Sequence, residues 1–87
     1  MPTFRKVEIV DAREFSGGLK SGSELVLWIS SNSGRAEYDA EHDYIKLNEH
    51  YASLKFELAF PGDWIERGQN GSFQVTRKQV IATYEEV

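Results

Sequence analysis

Apolar and polar residues alternate along several stretches of this chain and recur at helical spacing along others, and the contrast predicts most of the elements. The plainest alternation is Leu54-Lys55-Phe56-Glu57-Leu58-Ala59-Phe60. Leu54, Phe56, Leu58 and Phe60 fall on one face, with Lys55 and Glu57 opposite. A period of two marks a strand with one covered face, so this strand is expected to turn its leucines and phenylalanines inward.

Pro61-Gly62 follows at once. Proline presets the φ of a turn's second position and glycine accepts the positive φ that a type II turn requires at its third. Trp64-Ile65-Glu66-Arg67 then alternates, Gly68-Gln69-Asn70-Gly71 carries the Asn-Gly pair typical of hairpins, and Ser72-Phe73-Gln74-Val75 alternates again. The pattern predicts three strands in antiparallel meander order, with Trp64, Ile65, Phe73 and Val75 available to a core.

Upstream, Phe4 to Phe15 reads as a first strand, with Val7 and Ile9 on one face and Lys6 and Glu8 on the other, broken by Ser16-Gly17-Gly18. Ser21-Gly22-Ser23-Glu24 has the spacing of a capping box. It predicts a helix from about Gly22 to Asn32, with Leu25, Trp28 and Ile29 as its apolar stripe, Val26 and Leu27 widening it, and Gly34 as the left-handed residue that ends it. Arg35 to Asp39 alternates with Ala36 and Tyr38 together, and Tyr44 to Leu47 reads as a short strand. Thr76, with Gln79 three residues on, predicts a second capping box and a last helix carrying Val80, Ile81 and Tyr84. Glu85-Glu86-Val87 is a polar tail. The expected architecture is a single α+β domain over residues 1–87: a small, mostly antiparallel sheet of four to five strands with two short helices on one face.

Composition narrows the function classes. The 87 residues are 40% hydrophobic and 13% aromatic, enough for a folded core in one small domain. There is no cysteine, hence no disulfide framework, thiolate metal site or cysteine nucleophile. Net charge is -4, with acids gathered from Glu37 to Glu49 and at Glu85-Glu86, while Lys and Arg are scattered. Phosphate neutralisation dominates nucleic-acid affinity, so direct binding to nucleic acid is not expected. No apolar core of a secretory signal follows Met1, and no run approaches the roughly 18 apolar residues of a membrane helix. The expected location is a cytoplasm, away from membranes.

Gly62-Asp63-Trp64-Ile65, then Gly68, Gly71 and Phe73, and finally Thr83-Tyr84-Glu85, resemble a recurrent C-terminal pattern of small proteins from tailed bacteriophages and prophages. Val7 to Phe15 and Trp28-Ile29 are similar in the N-terminal half, and residues 39–53 lie outside the resemblance. The chain departs from the pattern at Gln74-Val75, where an aromatic-proline pair is usual, and at Ile81, where phenylalanine is. The resemblance implies a phage origin and action in the host cytoplasm. It implies no reaction.

Candidate chemistry is sparse. Asp39, Glu41, His42 and Asp43 invite a metal reading but lack the central glycine and terminal glutamate of a calcium loop. No serine sits in a nucleophile elbow, and the glycines at 17, 18 and 22 lack the Lys-Ser/Thr ending of a phosphate loop. No catalytic residue, metal or cofactor is expected, and the chain reads as a non-enzyme. Eleven aromatic residues are more than one small core needs, and surplus surface aromatics anchor protein interfaces. The binding candidates are Tyr38, Glu41, Asp43, Tyr44, Tyr51, Trp64 and Arg67. The leading expectation is a phage accessory protein that contacts a host protein through the acidic 37–49 surface, with a homodimer also in view. A small-ligand or nucleotide binder, with Trp64 stacking and Arg67 on a phosphate, is a second reading. A minor virion component is a third.

Overall fold

The computed structural model describes residues 9–48 and 54–84. In chain order they form β1 (Asp11–Glu14), α1 (Gly18–Ser31), β2 (Ala36–Asp39), β3 (Tyr44–Asn48), β4 (Phe56–Ala59), β5 (Trp64–Arg67), β6 (Phe73–Thr76) and α2 (Lys78–Ile81). The class is α+β, as the alternation predicts. The single sheet of four to five strands is replaced by two antiparallel sheets of three strands each, β1-β5-β6 and β2-β3-β4.

The Pro61-Gly62 turn is where the expected meander divides. The turn itself forms as predicted, with Gly62 at φ 96° and the Asp63 amide donating to the Phe60 carbonyl at 2.9 Å. Its backbone then pairs with Phe15 instead of running back along β4. The Phe15 amide donates to the Asp63 carbonyl at 2.9 Å and the Gly62 amide to the Phe15 carbonyl at 2.8 Å. Those bonds hand β5 to β1, with Glu14 opposite Trp64 and Asp11 opposite Arg67. The β5–β6 hairpin closes as expected. The Gly71 amide donates to the Gly68 carbonyl, and Gly71 at φ 85° takes the left-handed position of a three-residue loop.

The core lies where α1 meets the facing sides of the two sheets. Phe15, Leu25, Trp28, Ile29, Ile45, Leu47, Ala59, Ile65 and Phe73 are buried together. The Trp28 and Phe73 rings meet edge to face at 5.2 Å, and the Arg13 guanidinium lies 4.3 Å above Trp28. The helices do not share one face. Tyr84, just after α2, donates its hydroxyl to Glu66, which sits on the side of β5 opposite to the core residue Ile65.

Helix α1 starts four residues earlier than the capping box predicts, and that box does not form. Ser21 lies inside the helix and its hydroxyl accepts from the Ser16 amide at 3.1 Å. Gly17 at φ 88° is the N-cap, and the first helical amide, that of Gly18, donates to the Asp43 carboxylate across the fold. At the other end the Gly34 amide donates to the Ile29 carbonyl and the Ser33 amide to the Ser30 carbonyl, a Schellman ending. Ser33, at φ 66°, is its left-handed residue, not Gly34. Gly34 is needed for space, because a Cβ there would lie 2.5 Å from Ile29 Cγ2 and 2.9 Å from the Phe73 ring. Thr76 likewise caps nothing and donates its hydroxyl to Glu66.

Strand β4 is inverted relative to the expectation. Ala59 is fully buried, opposite the buried Ile45, whereas Phe56 and Phe60 are 52% and 45% exposed. Periodicity finds the two faces of a strand but does not say which is covered. Here register decides: pairing Ala59 with Ile45 brings the small side chain to the core, and the large ones follow the pleat outward.

Candidate functional site

Two parts of the expected binding surface separate in the structure. The first is the β2–β3 turn, which holds Tyr38, Asp39, Glu41, His42 and Asp43. Asp39 Oδ1 accepts from the Glu41 amide at 2.9 Å and the His42 amide at 3.0 Å, and Oδ2 lies 3.2 Å from His42 Nδ1. This Asx-type closure is local chemistry that aspartate favours. The His42 amide first, and the His42 ring after it, hold the Asp39 carboxyl below its ordinary value of 3.8. Asp43, at φ 54°, turns its Oδ1 to the Gly18 amide and to the Tyr38 hydroxyl, each at 2.8 Å. Donating that hydrogen bond to Asp43 raises the Tyr38 pKa above 10.0.

Tyr38 and Asp43 are therefore occupied inside the fold. The Tyr38 ring packs against Gly22, where a Cβ would come within 2.4 Å of it, and meets Phe15 edge-on at 6.1 Å. Of the acidic candidates on this turn, Glu41 is exposed to solvent. Tyr51 lies outside the described residues, as do Glu49 and His50.

The second part is the outer face of the β2-β3-β4 sheet. Tyr44, Lys46 and Glu37 project there from β3 and β2, beside Phe56 and Leu58 from β4, with Phe60 just past its end. The Tyr44 ring stacks with His42 at 5.9 Å and meets Phe60 edge-on at 5.9 Å, while Lys46 Nζ lies 4.6 Å above the Phe56 ring. The result is an aromatic strip with one cation set into it and Glu37 and Glu41 at its margin. Burial is the first cause raising the Tyr44 pKa, with Asp39 adding to it. Tyr44 was legible as a surface candidate; Phe56 and Phe60 were not, because their alternation is the ordinary signature of core.

Trp64 and Arg67 do not converge. Three residues apart on one strand, they point to opposite sides of β5. Trp64 is half-buried on the Glu66 side, and Arg67 is half-buried with its Nε enclosed and without a hydrogen-bond partner among the described residues. Two clefts beside the hairpin loop have volumes of about 170 and 200 Å³ and are lined by residues such as Asn48, Asn70, Phe73 and Gln74. Small-molecule sites usually reach roughly 300 Å³ or more. No group of three metal-ligating side chains gathers among the described residues.

Among the described residues no helix is long and apolar enough to cross a membrane. The chain matches no family model, no curated protein and no solved structure.

Proposed function

We propose that this chain is a non-enzymatic phage accessory protein that works by protein–protein contact with a host protein in the bacterial cytoplasm, and that its contact surface is the outer face of the β2-β3-β4 sheet. The observation that carries the reading is the pair of exposed phenylalanines on one face of a regular sheet, Phe60 against the Tyr44 ring and Phe56 under Lys46. Ordered aromatic side chains bury much area at little entropic cost and dominate interface energies. Glu37 and Glu41 at the margin favour a partner with basic residues around an apolar centre. The phage origin rests on the resemblance of the Gly62 to Phe73 run.

The test is affinity purification from host lysate with wild type, Phe60→Ser and Glu41→Lys. A captured host protein that is lost with Phe60→Ser, and whose capture weakens with salt and with Glu41→Lys, supports the reading. Capture that is indifferent to both substitutions removes it.

A further inference from the structure

We propose that β4 is a dimerisation edge, pairing antiparallel with β4 of a second copy of this chain about a two-fold axis at Phe56. The inference stands independently of any host partner. Its first support is an open edge. Among the described residues β3 is the one strand that pairs with β4, which ends the β2-β3-β4 order; β6 and Arg77 approach β4 at its Leu58 end and leave the Phe56 end open. Leu54, which leads into it, is 89% exposed, and Phe56 is 52% exposed. An uncovered edge strand with large apolar residues is a template for another strand.

The direction of the free backbone groups follows from the ladder. The Asn48 amide donates to the Arg35 carbonyl on the β2 side of β3. Neighbouring residues of a strand alternate, so Leu47 and Ile45 turn their amides and carbonyls to β4, where they face Glu57 and Ala59. Phe56 and Leu58 therefore direct theirs to the open side. The Leu58 carbonyl agrees, lying 3.4 Å from Arg77 Nη1, and Arg77 limits the open stretch at that end.

The second support is the sequence of that edge. Leu54-Lys55-Phe56-Glu57-Leu58 is self-complementary when reversed. With Phe56 opposite its own copy, Leu54 meets Leu58, and Lys55 meets Glu57 twice, once on each side of the axis. Phe56 forms the hydrogen-bonded pair at the centre, and the Lys55–Glu57 pairs take the closer, non-hydrogen-bonded positions where side chains interact most. A parallel arrangement in the same register would instead oppose lysine to lysine and glutamate to glutamate. The antiparallel pairing is isologous and consumes both β4 edges. It joins two three-stranded sheets into one of six and makes the aromatic strip continuous across the axis.

The test reads association by sedimentation velocity across the soluble concentration range, with circular dichroism melts as the check on folding. Wild type is expected to dimerise. Glu57→Lys or Lys55→Glu alone, each opposing like charges twice, should weaken the dimer about tenfold or more. Mixing those two variants, or combining both changes in one chain, should restore it. Phe56→Pro removes an amide that points away from β3, outside the monomer's own ladder, so the fold should survive while the dimer is lost. A wild type that stays monomeric throughout overturns the proposal. So does a dimer that persists in folded Phe56→Pro, or a loss on single charge reversal that neither the mixture nor the double variant repairs.

Discussion

Tyr38 donates its hydroxyl to Asp43 at 2.8 Å, and the same carboxylate oxygen accepts the first amide of α1, from Gly18, at 2.8 Å. One side chain thus fastens the β2–β3 turn to its own sheet and to the N-terminus of the long helix. A carboxylate there satisfies an amide that the helix leaves without an internal partner and lies at the positive end of its dipole.

Asp43→Ala should therefore destabilise the fold by about 1–2 kcal/mol, the scale of a lost helix cap, in urea unfolding. A double-mutant cycle with Tyr38→Phe should show coupling between the two residues. Additive losses would mean that the hydroxyl and the carboxylate do not act together.

Gly22→Ala separates helix propensity from packing. Alanine in place of glycine favours a helix by about 1 kcal/mol, but the added methyl would sit 2.4 Å from Tyr38 Cδ1 and 2.6 Å from Cγ. The sheet holds that end of the ring, so overpacking should win, with a net loss of about 1–3 kcal/mol. A variant that melts higher than wild type would show that the ring moves freely.

Glu66 is 6% exposed and accepts from Gln74 Nε2 at 2.7 Å, Thr76 Oγ1 at 2.8 Å and the Tyr84 hydroxyl at 2.9 Å. Glu66→Gln keeps the shape but turns an amide donor toward one of those donors. The expected cost is about 1–3 kcal/mol in denaturant unfolding. Loosening of the segment around Tyr84 should accompany it as faster amide exchange.

Stability should depend on pH at both extremes. The folded Asp39 carboxyl titrates below 3.8 because the His42 amide and then the His42 ring stabilise its charge. Its contribution is complete above the unfolded value and is lost as pH falls from about 4 through the lowered folded value. Tyr38 is the reverse case. Its raised pKa, caused first by the hydrogen bond to Asp43, gives stability that is complete below 10.0 and is lost as pH rises through the folded value. Unfolding free energies measured against pH should show a shallower acid slope in Asp39→Asn and a shallower alkaline slope in Tyr38→Phe, where Tyr44 supplies the remainder.

The turns were the most legible features in the chain. Gly62 adopts its positive φ after Pro61, and Gly71 closes the β5–β6 loop, because both act through local backbone sterics. Caps were misread where a distant group supplied a better partner. Ser21 has the spacing of a cap, yet Asp43 reaches the Gly18 amide from 25 residues away in the chain. The candidate surface was legible only in part: Tyr44 lies on it and Glu41 at its margin, Tyr38 and Asp43 are bound into the fold, and Phe56 and Phe60 were assigned to the core.

The order of residues by itself determined that the chain alternates strands with a helix, where it reverses, and that Leu25, Trp28 and Ile29 form one stripe. Those features depend on contacts within a few residues. Only the tertiary structure decided that Phe15 captures the Pro61-Gly62 turn, that the strands divide between two sheets, and that Ala59 rather than Phe56 faces the core. A strand's two faces are equivalent until its neighbours are in place, and it is pairing between distant segments that chooses which of them solvent touches.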